Sequence, residues 1–137
     1  MQEFSPIIDT KLIDKPSKCP EGKDKWPEWR FKFENYMACL EPKYTKELDE
    51  AAVSTGPITI REGIDTGLAT ELAKRNTTLF AILSMLLQGK DFALAKKLKA
   101  TKNGYEVWRL LCKDKEPDSD SRRLALLNEI MEAKVLD

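Results

Sequence analysis

The feature that most constrains the fold of this chain is a series of large apolar side chains spaced three and four residues apart. The series consists of Trp26, Trp29, Phe33, Met37 and Leu40. Because an α-helix has about 3.6 residues per turn, this spacing places all of them on one face. Asp24 is a suitable N-cap, Pro27 is tolerated in a first turn, and Pro42 stops the run. The pattern predicts a helix from about Trp26 to Pro42 that buries its aromatic face.

The aromatic residues of this helix have two interpretations. Together with Tyr36 they could stack on nucleic-acid bases or line a groove, but helical spacing is more typical of a helix that packs into a core. Phe31 breaks the pattern, because it projects to the opposite face with Ala38 near it. A large aromatic residue on an outer face is typical of an interface anchor. The sequence leaves open whether these two residues contact a partner or lie under the N-terminal part of the chain.

Helical periodicity continues through most of the remaining chain. Lys43 to Val53 carries a second, weaker pattern, and Ser54 to Gly67 indicates a loop because it contains three glycines and a proline. A strongly apolar helix runs from about Leu68 to Gly89. Its nearly continuous apolar surface predicts a central position in the domain. Asp91 to Lys99 is expected to form a short helix.

The next helix begins with a capping signal. Asn103 can accept a hydrogen bond from a first-turn N–H, while Glu106 can reach back to the N–H of Asn103, as in a capping box. The helix that follows is expected to bury Tyr105, Trp108, Leu111 and Cys112. Lys113 to Asp120 indicates a charged turn, and a last helix is expected from about Ser121.

These patterns predict an all-α fold. Residues 26–137 are expected to form a compact bundle of about five to seven helices. Residues 1–25 contain Pro6, Pro16 and Pro20 and only short apolar pieces, so we expect an extended N-terminal arm. A chain of 137 residues is long enough to bury a usable core in one such domain.

The last predicted helix has two apolar stripes on nearly opposite sides. One stripe consists of Leu124, Leu127, Met131 and Val135, and the other of Leu126, Ile130 and Ala133. One core can cover only one of them, so we expect the second to contact another helix, a following domain or a second copy of the chain. The sequence stops at Asp137 without a C-cap, which favours a fragment of a longer protein.

The composition argues against catalysis. The chain contains no histidine, which removes the commonest general base and metal ligand. Its three cysteines, Cys19, Cys39 and Cys112, are too few and too scattered for a disulfide scaffold or a zinc site. Its carboxylates stand in charged stretches beside lysines, with no pair in an apolar context that would raise a pKa. We therefore expect no enzyme activity, no cofactor and no metal.

The sequence contains no segment that approaches the roughly 20 apolar residues needed to span a bilayer. Its N-terminus lacks the basic and apolar regions of a secretory signal. We therefore expect a cytoplasmic protein that does not contact a membrane.

Basic residues cluster in two places. Lys96, Lys97, Lys99 and Lys102 form one cluster, and Arg122 and Arg123 form the other. Either could contact RNA or an acidic partner. The formal net charge of zero and the nearby Glu116, Asp118 and Asp120 favour solvated helix surfaces instead.

Three segments resemble one protein family in order and spacing. Residues 25–37, KWPEWRFKFENYM, are similar to the W-x-x-W…F…YM opening of the capsid region in Gag proteins of copia-type LTR retrotransposons. Residues 105–111, YEVWRLL, resemble the A-x-E-x-W-x-x-L helix of that family. Residues 122–130, RRLALLNEI, resemble the helix that comes next. Each motif is weak alone, and the three in order are moderately specific over residues 16–137.

This resemblance implies the N-terminal lobe of a Gag capsid, a structural module that oligomerises into particles enclosing RNA. It implies contacts with copies of itself and with a following C-terminal capsid lobe, for which Phe31, Ala38, Leu126, Ile130 and Ala133 are the candidates. The chain lacks the C-x₂-C-x₄-H-x₄-C zinc knuckle, which in this family lies further downstream. RNA is therefore expected to bind through the full-length protein rather than through this segment.

Two other functions stay open. A host adaptor or domesticated capsid domain would bind a peptide in a groove between helices. An RNA-binding module would show an affinity that falls steeply with salt.

Overall fold

Helices form where the sequence places apolar residues at helical spacing. The structure, a computed structural model, describes residues 15–60 and 67–116, with side chains of the second range from residue 70. These residues form α1 (Trp26–Leu40), α2 (Lys43–Val53), α3 (Gly67–Leu86), α4 (Gly89–Lys97) and α5 (Gly104–Lys115). No strand occurs among them, so the predicted all-α fold is confirmed. The last predicted helix lies outside the described residues.

Helix α1 buries the predicted face, with small differences at both ends. Trp26, Trp29, Phe33 and Met37 are buried. Pro27 lies in the first turn, as expected, but Asp24 does not cap the helix. The N-cap is Lys25, and its side chain makes no capping bond. Leu40, the last residue of the helix, is 40% exposed, so the buried face ends at Met37.

The buried aromatic rings of α1 pack around Trp108 of α5. The Trp108 ring lies 5.6 Å from that of Trp26 and 5.2 Å from that of Phe33, measured between centroids. Trp29 stacks on both of its α1 neighbours, at 5.6 and 5.0 Å. The Trp108 indole N–H donates to the carbonyl oxygen of Leu48 in α2, at 3.2 Å. These rings therefore form the core, and burial removes them from the base-stacking role that the sequence left open.

The most enclosed helix is α5 rather than the apolar α3. Helix α5 packs against α2, α3 and α4 as well as the rings of α1. Tyr105, Trp108, Leu111 and Cys112 are buried as predicted. Three charged side chains of α5 are buried too, namely Glu106, Arg109 and Lys115. Hydropathy did not identify α5 as the central helix, because these charged residues lower its mean hydropathy. In the structure their charges are paired inside the protein.

The N-terminus of α5 lies directly on the backbone of α3. A Cβ atom on Gly104 would stand 2.5 Å from the backbone N of Phe80 and 2.6 Å from the carbonyl oxygen of Asn76. The Asn76 side chain accepts a hydrogen bond from the N–H of Tyr105 at 3.0 Å. Glycine at this position therefore allows the two helices to approach at a distance that any side chain would prevent.

The capping box at α5 is half formed. The Asn103 side chain accepts from the N–H of Glu106 at 3.1 Å, as predicted. Glu106 does not reach back to Asn103. Its carboxylate instead accepts from the N–H of Ile58 at 2.8 Å and pairs with Arg109. The segment that follows α2, residues 54–60, therefore occupies the carboxylate that the cap would otherwise use.

Gly89 is the first residue of α4 and has φ +61, a conformation that favours glycine. Helix α3 has already ended at Leu86, so Gly89 lies at the start of a helix rather than at the end of one. The space where a side chain would stand holds the carboxylate of Glu21. The chain thus reverses from α3 into α4 within two residues.

Residues 15–25 lie against the helices without regular structure of their own. The N–H of Cys19 donates to the carbonyl oxygen of Leu86 at 2.9 Å, and the Gln88 amide donates to the carbonyl oxygen of Cys19 at 2.9 Å. The Trp29 indole N–H donates to the carbonyl oxygen of Ser17 at 2.7 Å. Cys19 itself is fully buried. This segment is therefore held on the helices by these hydrogen bonds and contributes Cys19 to the core.

Two phenylalanines on α1 test this packing because they have opposite exposure. Phe33 is fully buried and Phe31 is 65% exposed. Phe33→Ala removes a ring from the cluster and leaves a cavity, so we expect a loss of about 3–5 kcal/mol in the free energy of unfolding. Phe31→Ala is the matched control and should change it by less than about 0.5 kcal/mol. Urea unfolding monitored by tryptophan fluorescence measures both, and equal losses would contradict the assignment of faces.

Candidate interaction surfaces

The outer face of α1 presents one large apolar side chain to solvent. Phe31 is 65% exposed, and Ala38, two turns further along, is half-buried. Beside Phe31 lies an exposed ion pair between Lys32 and Glu28, with 3.1 Å between nitrogen and oxygen. An aromatic side chain within a charged rim is the arrangement of a protein–protein contact. The other interface candidates, Leu126, Ile130 and Ala133, lie outside the described residues.

The lysine cluster lies on α4 and the turn that follows it. Lys96, Lys97, Lys99 and Lys102 are all exposed. We call these four residues the lysine face. The side of α4 that packs inward carries Asp91 and Ala95, both buried. Phe92 is 39% exposed, and the Lys96 ammonium lies 5.9 Å from the centre of its ring. Lys96 and Lys97 lie in the last turn of α4, and Lys99 and Lys102 follow the end of the helix.

A groove runs between α2, residues 54–60 and α5. We call it the α2–α5 groove. It is lined by Glu47, Glu50, Ala51, Ser54, Ile58, Ile60, Leu72 and Tyr105, and it encloses a volume of about 250 Å³. Most of the lining is apolar, and Glu50 supplies an exposed carboxylate at the rim. A groove of this kind fits aliphatic side chains with a cation beside them.

An internal ion-pair cluster fixes one wall of this groove. Arg75 of α3 and Glu47 of α2 form a bidentate pair, with the shortest contact at 2.6 Å. The Tyr105 hydroxyl donates to the same carboxylate. Burial, together with this carboxylate, raises the pKa of Tyr105 well above its ordinary range. The Tyr44 hydroxyl donates to the carbonyl oxygen of Arg75 at 2.9 Å, and burial raises its pKa to about 12. Both phenols therefore stay protonated and serve as hydrogen-bond donors.

A second internal pair lies within α5 and holds Ile58 of the groove lining. The Arg109 guanidinium contacts both carboxylate oxygens of Glu106, at 2.7 and 2.8 Å. The Asn103 amide donates to the carbonyl oxygen of Ile58 at 2.7 Å, so the segment is held through both its N–H and its carbonyl. Burial alone would raise the pKa of Glu106, but the hydrogen bonds from Arg109 and Ile58 outweigh it and lower the pKa.

A third internal pair joins α4 and α5. The Lys115 ammonium lies 2.8 Å from Asp91 Oδ2, and both side chains are almost completely buried. The ammonium donates to the carbonyl oxygens of Pro20 and Glu21. The Asp91 oxygens make no aligned hydrogen bond, so the attraction between these two groups is one of charge rather than of hydrogen bonding.

These pairs overturn two expectations from the sequence. Buried carboxylates do occur, at Asp91 and Glu106, although every carboxylate appeared to stand in an exposed charged stretch. The predicted charged turn from Lys113 is also wrong at its start, because α5 continues to Lys115. Both misses have one cause, since a charged residue in a sequence carries no sign of the partner that pairs with it inside the fold. Glu116 accepts from Arg30 at 2.7 Å and from the indole of Trp26.

Burial suppresses the reactivity of two of the three cysteines, Cys19 and Cys112. Burial, with a further effect of Asp91, raises the pKa of Cys19 to about 12. Burial also raises the pKa of Cys112 well above its ordinary value. Both thiols are therefore protonated near neutral pH and unreactive. Cys39 is half-buried, and all three are free. Among residues 15–60 and 67–116, no three side chains of metal-ligating type lie close enough to hold an ion.

Comparison with known proteins gives no match. The chain matches no protein-family model, no curated protein and no solved structure. Within the part of the chain that the structure describes, no helix combines the length and the apolar character required to cross a bilayer.

The Glu106–Arg109 pair gives a prediction about acid stability. Because the pKa of Glu106 is lowered in the folded state, its contribution to stability is complete above its ordinary value of 4.5 and is lost as the pH falls below it. Glu106→Gln leaves the buried Arg109 charge unpaired, so it should lower the free energy of unfolding by about 2–4 kcal/mol at neutral pH. The difference from the wild-type chain should shrink at about pH 3.

Urea unfolding at the two pH values measures this difference. The control is Glu71→Gln, because Glu71 forms an exposed pair with Lys74 at 3.6 Å and should matter by less than about 0.5 kcal/mol. The pKa of Glu34 shifts in the opposite direction, because burial raises it despite the nearby Arg30. Glu34 is present in both the wild-type and the variant chain, so its titration affects both equally. A Glu106→Gln loss that is equal at both pH values would contradict the role of the charge.

Proposed function

We propose that this chain is the N-terminal lobe of a Gag capsid of the copia-type retrotransposon family and acts in self-assembly rather than in catalysis. The exposure of Phe31 carries the proposal. Phe31 lies on the outer face of α1. The opposite face of the helix packs in the core through Trp29 and Phe33. A helix with a packed inner face and an aromatic outer face can join a domain to a second copy without altering either fold.

The positions of the family-like segments support the same proposal. The segment that begins at Lys25 corresponds to α1, and the segment that begins at Tyr105 corresponds to α5. The two segments pack on each other through Trp26, Phe33 and Trp108. Residues of the motif thus meet as one structural unit, which explains in physical terms why a sequence pattern would link segments about 70 residues apart. The third segment lies outside the described residues.

In this proposal the protein works in the cytoplasm and its contacts are weak and repeated. A shell gains its stability from many identical contacts, so each one needs little affinity of its own. The partners are other copies of the chain and a following C-terminal capsid lobe, with RNA enclosed by the assembled particle. No cofactor is required for such a role.

Sedimentation velocity across a wide range of concentration tests the role of Phe31. We expect the weight-average sedimentation coefficient to rise as the concentration approaches about 1 mM, the range of a weak contact. Phe31→Ser removes the aromatic anchor and should weaken the association at least tenfold, as for a hot-spot residue. Met85→Ser is a matched control on α3, because Met85 is also 65% exposed, and it should leave the association unchanged.

Electron microscopy of particles from the full gene product complements this measurement. Closed, regular particles that disappear with Phe31→Ser would support the capsid. A chain that stays monomeric at 1 mM, or a Phe31→Ser chain that associates like the wild type, would contradict the proposal.

The α2–α5 groove favours a second candidate function, an adaptor that binds a peptide between helices. Its apolar lining from Ile58, Ile60 and Leu72 suits aliphatic side chains, and Glu50 at the rim suits a lysine or arginine. Phage-displayed peptides selected on the wild-type chain should then be rich in aliphatic residues with one basic residue. Selection on Leu72→Glu should lose them, while selection on the surface control Lys74→Glu should not. A lack of enrichment on the wild-type chain would exclude this function.

A further inference from the structure

The exposed side of α4 and the turn after it carry four exposed lysines within seven residues. Between residues 89 and 103 the only carboxylate is Asp91. It is buried and neutralised by Lys115, so it does not offset the charges outside. Lys90 pairs with Asp114 at 3.7 Å. For the lysine face, defined above as Lys96, Lys97, Lys99 and Lys102, no described carboxylate lies within 4.0 Å of any ammonium.

The formal net charge of zero conceals this surface. Arg30, Arg75, Arg109 and Lys115, which are buried or half-buried, each pair with a carboxylate. The lysine face has no such pair among the described residues. The acidic residues that argued against a polyanion partner include Glu116, which pairs with Arg30 at the base of α1.

The backbone at Lys102 gives an independent indication. Lys102 has φ +52, the left-handed conformation that terminates many helices and that glycine adopts without strain. Its N–H donates to the carbonyl oxygen of Leu98 at 2.8 Å, which closes the end of α4. A glycine would serve this turn better than a lysine. A strained residue of this kind indicates a use for its side chain outside the fold.

A structural role accounts for part of the cluster only. Lys96 and Lys97 lie in the last turn of α4 and compensate the helix dipole there. Lys99 and Lys102 lie beyond the helix, and the effect of the dipole declines within the last turn. Compensation of the helix dipole therefore does not account for Lys99 and Lys102.

The arrangement fits single-stranded RNA better than other polyanions. Lysine binds phosphate as a point charge, whereas recognition of planar carboxylates favours arginine. Phe92 offers an exposed ring beside Lys96. This ring suits a nucleic-acid base that stacks on it while the neighbouring phosphates contact the lysines. An anionic membrane would require a broader apolar surface than Phe92 and Ala93 provide.

We infer that the lysine face and Phe92 together bind single-stranded RNA, with phosphates on Lys96, Lys97, Lys99 and Lys102 and a base on Phe92. This site requires neither a zinc knuckle nor self-assembly. It goes beyond the proposed capsid contact at Phe31, because RNA binding by the monomer and self-association through Phe31 succeed or fail separately. It also differs from the sequence-based expectation that only the full-length protein contacts RNA.

Fluorescence anisotropy with a labelled oligouridine of about 12 nucleotides tests the inference, a length within the usual range for one binding site. With four phosphate contacts, the logarithm of the binding constant should fall with the logarithm of salt concentration with a slope of about −3. Replacing all four lysines with glutamine should abolish this binding. The matched control replaces four exposed lysines elsewhere, Lys23, Lys43, Lys46 and Lys74, and should retain most of the affinity and the slope.

Lys102→Gly separates the function of this lysine from its effect on the fold. We expect the melting temperature to rise by a few degrees because the backbone strain is relieved. The affinity for RNA should fall, and the salt slope should become shallower by about 0.7, the value for one phosphate contact. A higher melting temperature with unchanged RNA affinity would remove Lys102 from the site.

Phe92 distinguishes RNA from a lipid surface. Phe92→Leu keeps an apolar side chain but loses the ring, so it should weaken RNA binding by about tenfold, the effect of one lost stacking contact. The inference is overturned if the four-lysine variant binds oligouridine like the wild type, or if the control set loses as much affinity. It is also overturned if phosphatidylserine vesicles or polyglutamate bind the lysine face while oligouridine does not.

Discussion

Trp108 of α5 joins its own helix to α1 and α2 at the centre of the core. Its ring contacts Trp26 and Phe33 of α1, the Arg30 guanidinium lies 5.7 Å from its centre, and its N–H reaches the backbone of α2. Three helices are therefore positioned by one indole group. With α1 held in this way, its remaining face can only point outward, which is why Phe31 is exposed. The proposed self-assembly contact is thus a consequence of how the core is filled.

The apolar part of this arrangement could be predicted from the sequence. Spacings of three and four residues placed the aromatic face of α1, and the asparagine at the start of α5 marked its first turn correctly. The bounds of α2 also agree with the weaker pattern over Lys43–Val53. These successes share one reason, because helical periodicity and caps are local properties that a few neighbouring residues determine.

The charged interior could not be predicted in the same way. Asp91 and Lys115, or Glu47 and Arg75, are far apart in the chain, and each residue alone resembles a surface residue. Hydropathy consequently ranked α3 above α5 as the central helix, whereas α5 is the most buried. The exposure of the lysine face was predicted, but its chemical setting was not. The sequence suggested that acidic residues, including Glu116, lie near these lysines. In the structure, Glu116 pairs with Arg30 instead.

The position of Lys115 has a consequence for where the folding unit begins. Its ammonium is solvated by the backbone carbonyls of Pro20 and Glu21 as well as by the charge of Asp91. If the protein were shortened so that it began at α1, the buried Lys115 ammonium would remain, but the two carbonyl oxygens that accept its hydrogen bonds would be lost. The core would also lose Cys19. The smallest autonomous unit therefore includes residues 15–25, which behave as an additional packing element without secondary structure. The start of the first helix is therefore not the start of the domain, because backbone carbonyl oxygens before that helix accept hydrogen bonds from a buried ammonium.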